Sequence, residues 1–105
     1  MQNSVKFSES QENLTARLAG EIDHHTARCQ REEIDKMLFR VKPQKLILDF
    51  SEVKFMDSSG IGLIIGRADV CCGIGCCLQV TGLSLQLKKL VKLSGVEKIK
   101  GISVI

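Results

Sequence analysis

Read from the N-terminus, the apolar positions first alternate. Val5 and Phe7 flank Lys6, and Leu14, Ala16 and Leu18 flank Thr15 and Arg17. A period of two over residues 5–7 and 14–18 predicts two short strands, with the polar residues between them as a tight turn. From Ala27 the spacing becomes helical. Ala27, Ile34, Leu38 and Val41 share one face with Met37 alongside, and Arg28, Glu32, Asp35 and Lys36 occupy the other. Asp23 is placed to cap this helix, with Thr26 three residues on, and Pro43 ends it. Leu46, Ile47 and Leu48 form a continuous apolar run, which predicts a strand buried on both faces and therefore central. Ser58 or Ser59 starts a second helix that runs to about Cys72. A Gly73-Ile74-Gly75 turn leads into a strand over 76–80. Ser84 caps a short helix with Leu87, Leu90 and Val91 on one face, and Gly95 closes it. Residues 102–105 make the last strand. The order β, β, α, β, α, β, α, β predicts one α/β domain over 1–105: a mostly parallel mixed sheet of about five strands covered by helices.

The helix after Asp57 has an unusual pattern. At 100° per residue Ile61, Ile64, Ile65 and Ala68 lie together and are expected to face the sheet. Ser59, Gly62, Leu63, Gly66, Arg67, Asp69 and Val70 fall on the opposite side. Glycine is costly inside a helix, and an outward stripe of glycine and aliphatic groups lets another surface approach the backbone. That surface is either a docked partner or a neighbouring helix of the same domain.

Composition narrows the classes. Of the 105 residues 44% are hydrophobic and 26% charged, as in ordinary globular domains. The net charge is +3, and with no Trp, no Tyr and four Phe there is little for bases to stack on, which argues against nucleic-acid binding. No apolar run reaches the ~18–20 residues that span a bilayer, and residues 1–10 lack the apolar core of a leader. A cytosolic setting without membrane contact is expected. Four of the five cysteines cluster at Cys71, Cys72, Cys76 and Cys77. Their spacing fits reduced, small apolar side chains better than a disulfide framework or a zinc site.

The chemistry concentrates at Met56-Asp57-Ser58-Ser59-Gly60-Ile61-Gly62. Two hydroxyls stand at a helix start, where free N–H groups and the helix dipole suit a phosphate. The plain alternative is a cap and nothing more. The acidic loop Glu21-Ile22-Asp23 lies at the end of another strand, where α/β folds place their sites. His24 and His25 lack companions at metal spacing and read as loop contacts or exposed caps. No nucleophile–base pair, dinucleotide fingerprint or P-loop is present, so neither an enzyme nor a cofactor is expected. Asp49 could mimic a receiver phosphoacceptor, but the acidic pair and the lysine such a site needs are missing.

Leu18-Ala19-Gly20-Glu21-Ile22-Asp23-His24-His25-Thr26-Ala27, the stretch from Phe55 to Arg67, and Leu93-Ser94-Gly95-Val96 resemble the signatures of STAS-domain anti-sigma factor antagonists, most of all the sporulation type. The likeness covers nearly the whole sequence. It implies a single STAS domain that binds an anti-sigma factor serine kinase, is phosphorylated on Ser58, and is reset by a PP2C-type serine phosphatase. The general-stress type shares fold and serine and is the alternative. Partner contacts are then expected at Gly20, Glu21, Asp23, His24, His25, Thr26, Asp57, Ser58, Ser59, Gly60, Gly62, Leu63, Gly66 and Arg67. Sporulation-type members usually continue into a further C-terminal helix, so the packing such a helix would cover is expected to differ.

Overall fold

The structure, a computed structural model, describes residues 5–105. The elements are β1 (Val5–Ser10), β2 (Asn13–Ile22), α1 (His24–Val41), β3 (Lys45–Met56), α2 (Ser58–Gly73), β4 (Cys77–Thr81), α3 (Leu85–Ser94), a 3₁₀ turn (Val96–Lys98) and β5 (Ile102–Val104). The strands line up in chain order, β1-β2-β3-β4-β5. β1 pairs antiparallel with β2, and the other three pairings are parallel. This is the expected α/β mixed sheet, with β3 at its centre.

Each parallel pair is consecutive in the chain and joined through a helix. Right-handed crossovers that all step in one direction leave every helix on the same side of the sheet. The burial along β3 agrees. Leu46, Leu48 and Phe50 are buried, whereas Lys45, Ile47 and Asp49 are only half-buried. The expectation that residues 46–48 are buried on both faces is therefore corrected. Ile47 pairs with Thr15 and Gln79 on the open face, next to an ion pair between Arg17 and Asp49 at 3.3 Å. The core lies on the helical side, where Leu14, Ala16, Leu18, Leu46, Leu48, Leu78 and Val80 meet Ile34, Leu38 and Ile64.

Local chemistry sets the boundaries. β1 and β2 are joined across Ser10 and Asn13 by a two-residue turn in which Gln11 takes φ 57°. β2 continues past Leu18 through two irregularities in its register with β3, and Gly20 takes φ 84° there. β3 runs on to Met56, well beyond the apolar run, because β2 keeps pairing with it as far as Ile22. At the end of α1, Lys42 adopts the left-handed conformation just before Pro43. Ser84 Oγ accepts from the Leu87 N–H, and Gly95 at φ 79° closes α3, as the sequence predicts.

The faces of α2 differ from the helical-wheel expectation. Ile61 and Ile64 are buried, but Ile65 is 43% exposed. Leu63 and Arg67, expected to point outward, are each only 4% exposed. The physical reason is α1. It packs beside α2 as well as on the sheet, so the buried arc of α2 is turned toward the neighbouring helix and takes in Leu63 and Arg67. Gly62 remains exposed and Gly66 half-exposed.

Candidate functional site

Because β2 and β3 are parallel, their C-terminal ends lie together, and so do the starts of the helices that follow. Ile22 pairs with Met56, and the Asp57 N–H donates to the Ile22 carbonyl at 3.2 Å. Asp23 and Asp57 therefore cap two helices at one edge of the sheet. Asp23 Oδ1 accepts from the His25 and Thr26 N–H groups at 3.0 and 2.9 Å. Thr26 Oγ1 accepts from the Asp23 N–H at 2.9 Å and donates to the Glu21 carbonyl at 3.0 Å, which completes a capping box. The Thr26 N–H is the main cause that holds the Asp23 carboxyl below its ordinary range. His24 and His25 are exposed in the first turn of α1.

Asp57 Oδ1 accepts from the Ser59 N–H at 2.8 Å and so caps α2 itself. Neither serine performs that task. Ser58 is the first residue of the helix and exposed, and its hydroxyl has no hydrogen-bond partner among the described residues. Ser59 is half-buried and turns into a groove between α1 and α2.

The three glycines that follow differ from one another. Gly60 is buried, and a methyl group there would overlap Met56 Sδ, so close packing explains its lack of a side chain. A methyl group at Gly62 or Gly66 would meet nothing within 4 Å. Both line the groove, whose volume is about 560 Å³, together with His24, Ala27, Arg28 and Arg31 of α1 and Ser59, Leu63 and Arg67 of α2. Arg67 Nε stands 2.8 Å from Asp35 Oδ1, a charge contact without the alignment of a hydrogen bond, and Arg67 Nη1 is buried without a partner. Burial pushes the Arg67 guanidinium below its ordinary value, and Asp35 counteracts this.

The expected site residues thus fall into three groups. Gly20, Glu21, Asp23, His24, His25, Thr26, Asp57, Ser58 and Ser59 gather around the two helix starts. Gly62, Leu63, Gly66 and Arg67 line the groove, with Leu63 and Arg67 as nearly buried walls rather than outward contacts. Gly60 lies beneath the surface. Sequence reasoning missed Arg28 and Arg31 as site residues. Their signal is a basic pair three residues apart, beginning one turn after His24 and directly after the apolar Ala27.

Two other places carry chemistry-bearing side chains. Asp49 does not end its strand, as the receiver-like reading requires. It lies mid-strand, where burial pushes its carboxyl up. Hydrogen bonds from the Ser51 backbone and side chain, and the Arg17 guanidinium, outweigh this and leave it below the usual range. The five cysteines are free thiols. Cys71 and Cys76 are buried, and Cys29, Cys72 and Cys77 are exposed. Among the described residues no three His, Cys, Asp or Glu side chains gather as a metal site. No helix is long and apolar enough to cross a membrane.

The model of the STAS domain family matches residues 4–103. An anti-sigma F factor antagonist from Paenibacillus polymyxa is 35% identical over 89 residues, which is 85% of this chain and 76% of that one. The anti-sigma-B factor antagonist of Bacillus subtilis is 27% identical over 103 residues, 98% of this chain and 93% of the relative. The solved anti-sigma factor antagonist SpoIIAA superimposes in its unphosphorylated form with a TM-score of 0.73 at 25% identity, covering 97% of this chain and 87% of that one. Its phosphorylated form gives 0.72 at 26%, covering 97% and 91%. The chain belongs to the STAS-domain family, and within it to the anti-sigma factor antagonists.

Proposed function

We propose that this protein is the phosphorylation-controlled member of a partner switch. Unmodified, it binds an anti-sigma factor that is also a serine kinase, and the sigma factor is released. The kinase phosphorylates Ser58, the complex falls apart, and a PP2C-type serine phosphatase restores the binding form. The protein acts as substrate and binding module rather than catalyst, in the cytoplasm, and its output is sporulation transcription.

The observation that carries this reading is the position of Ser58. It is exposed at the first position of α2, and Asp57 relieves it of capping. A phosphate there adds about −1.5 to −2 charges at a helix N-terminus, which accommodates anions. Within the molecule the addition is tolerable. Against a docked partner the phosphate occupies contact space and places charge where nothing pairs with it. Reversing a binding equilibrium from 99:1 to 1:99 takes about 5.5 kcal/mol. Losing one partner of a buried polar pair at an interface costs about 2–5 kcal/mol, so steric exclusion together with charge suffices.

Relatives support both a sporulation and a general-stress role. The anti-sigma F relative has the higher identity, and the anti-sigma-B relative is matched over more of its length. Which purified kinase binds the unmodified protein separates the two. Ser58→Ala is expected to bind the kinase and resist release by ATP, and Ser58→Asp to bind poorly. Mass spectrometry after incubation with kinase and ATP is expected to place one phosphate on Ser58; phosphate confined to Ser59 would overturn the assignment.

A further inference from the structure

We infer that the outward face of α3 and the turn after it form a landing surface for an anionic phospholipid membrane. Lys88, Lys89 and Lys92 meet the headgroups, and Leu85 and Leu93 reach between them. This surface shares no residue with the two helix starts described above and does not depend on the switch proposed there. α3 crosses from β4 to β5, whereas Asp23 and Ser58 stand at the ends of β2 and β3.

Two observations meet on α3. The first is charge. Residues 84–105 hold five lysines and one glutamate, a net +4, so residues 1–83 carry −1 of the chain's +3. Lys88, Lys89, Lys92, Lys98 and Lys100 are all exposed, and none forms an ion pair among the described residues. A cationic end on an otherwise near-neutral molecule turns that end toward a negative surface. The second observation is apolar. α3 gives Leu87 and Val91 to the core, with Leu90 half-buried beside them. Leu85 and Leu93 take no part in it and are 80% and 87% exposed. At 100° per residue Lys88, Lys92, Leu85, Lys89 and Leu93 follow one another across an arc of about 140°. Ile99, between Lys98 and Lys100, repeats the pattern at the turn and is also exposed. Apolar side chains set among lysines in this way reach below the headgroups while the ammonium groups stay beside the phosphates.

The residue types select among anionic partners. No arginine follows Arg67 and no aromatic ring follows Phe55. Lysine lacks the planar fork that grips a carboxylate at two points, and attraction to a charged leaflet needs no such alignment. A nucleic acid finds no ring on which to stack a base. An acidic protein would answer the lysines but leave the interspersed leucines unexplained. The expectation of no membrane contact rested on the lack of a spanning run, and lying on a surface requires none.

The test is sedimentation of the full chain with vesicles of phosphatidylcholine and phosphatidylglycerol in equal parts, and of phosphatidylcholine alone, over a range of salt. Binding to the anionic vesicles that fades with salt is expected, with none to the neutral ones. Lys88→Glu, Lys89→Glu and Lys92→Glu together are expected to weaken it on the order of 100-fold. Leu85→Ser with Leu93→Ser is expected to weaken it roughly 10-fold. Every replaced side chain is exposed, so the melting temperatures are expected to stay at the wild-type value. Lys6→Glu, Lys36→Glu and Lys42→Glu together change the net charge equally, from exposed positions elsewhere, and are expected to bind nearly as the wild type does. Equal loss in the two lysine triples, unaltered affinity in the leucine variant, or no preference for anionic vesicles would each overturn the inference. Binding to polyglutamate but not to anionic vesicles, lost in the α3 lysine triple, would reassign the patch to an acidic protein.

Discussion

Residues of one type divide sharply by environment in this molecule. Burial pushes the thiols of Cys71 and Cys76 up, whereas Cys29, Cys72 and Cys77 stand exposed. Cys71 and Cys76 bracket the end of α2, where the Cys76 N–H donates to the Cys71 carbonyl at 2.8 Å and Gly75 takes φ 74°. That bond closes the helix end in the Schellman manner and brings the two side chains into the contact the motif usually makes. A thiolate reagent under native conditions is therefore expected to modify three cysteines quickly and two only on unfolding. Five fast thiols would contradict this burial. The cluster at 71–77 reads in the sequence as four small apolar side chains, and the exposure of Cys72 and Cys77 corrects this for two of them. The burial of Arg67 was not legible, because its reason is Asp35, far away in the chain and on another helix. Gln30, wholly buried on the core face of α1 with its amide unpartnered, was hidden for a similar reason: a polar residue gives no sign of burial in a hydrophobicity pattern.

Helices and strands were legible to different degrees. The starts of α1 and α3 were readable, since Asp23 and Ser84 have side chains that accept the free N–H groups of a first turn; at α2 the sequence pointed to the serines, and Asp57 takes the cap instead. The extent of β3 was not. Ser51, Glu52 and Lys54 are exposed polar residues that sequence alone assigns to a loop, and pairing with β2 makes them strand. The orientation of α2 was also missed, because a helical wheel gives the apolar arc but not the number of neighbours that share it. Its glycines now supply a contrast at the level of the helix. Gly60→Ala is expected to destabilise the protein by about 1–3 kcal/mol through overlap with Met56. Gly62→Ala is expected to stabilise it by about 0.5–1 kcal/mol through helix propensity alone. Urea melts of the two variants measure this, and an equal response would show that packing does not distinguish the two positions.

For the whole molecule, the proposed phosphorylation would change charge more than shape. One phosphate on Ser58 would take the net charge from +3 to about +1, at an exposed position at the start of α2. Small-angle scattering of the modified and unmodified protein is expected to give the same radius of gyration while their elution from an ion-exchange column separates. Expansion on phosphorylation would instead indicate a conformational switch. The order of the sheet has a consequence of another kind. Because strands neighbour one another in the sequence in which they are synthesised, each βα unit leaving the ribosome meets an edge already in place. No strand has to wait for a distant segment before it can pair, and none is inserted between two others. The chain can grow its sheet in one direction during translation, and its exposed edge advances with the nascent end.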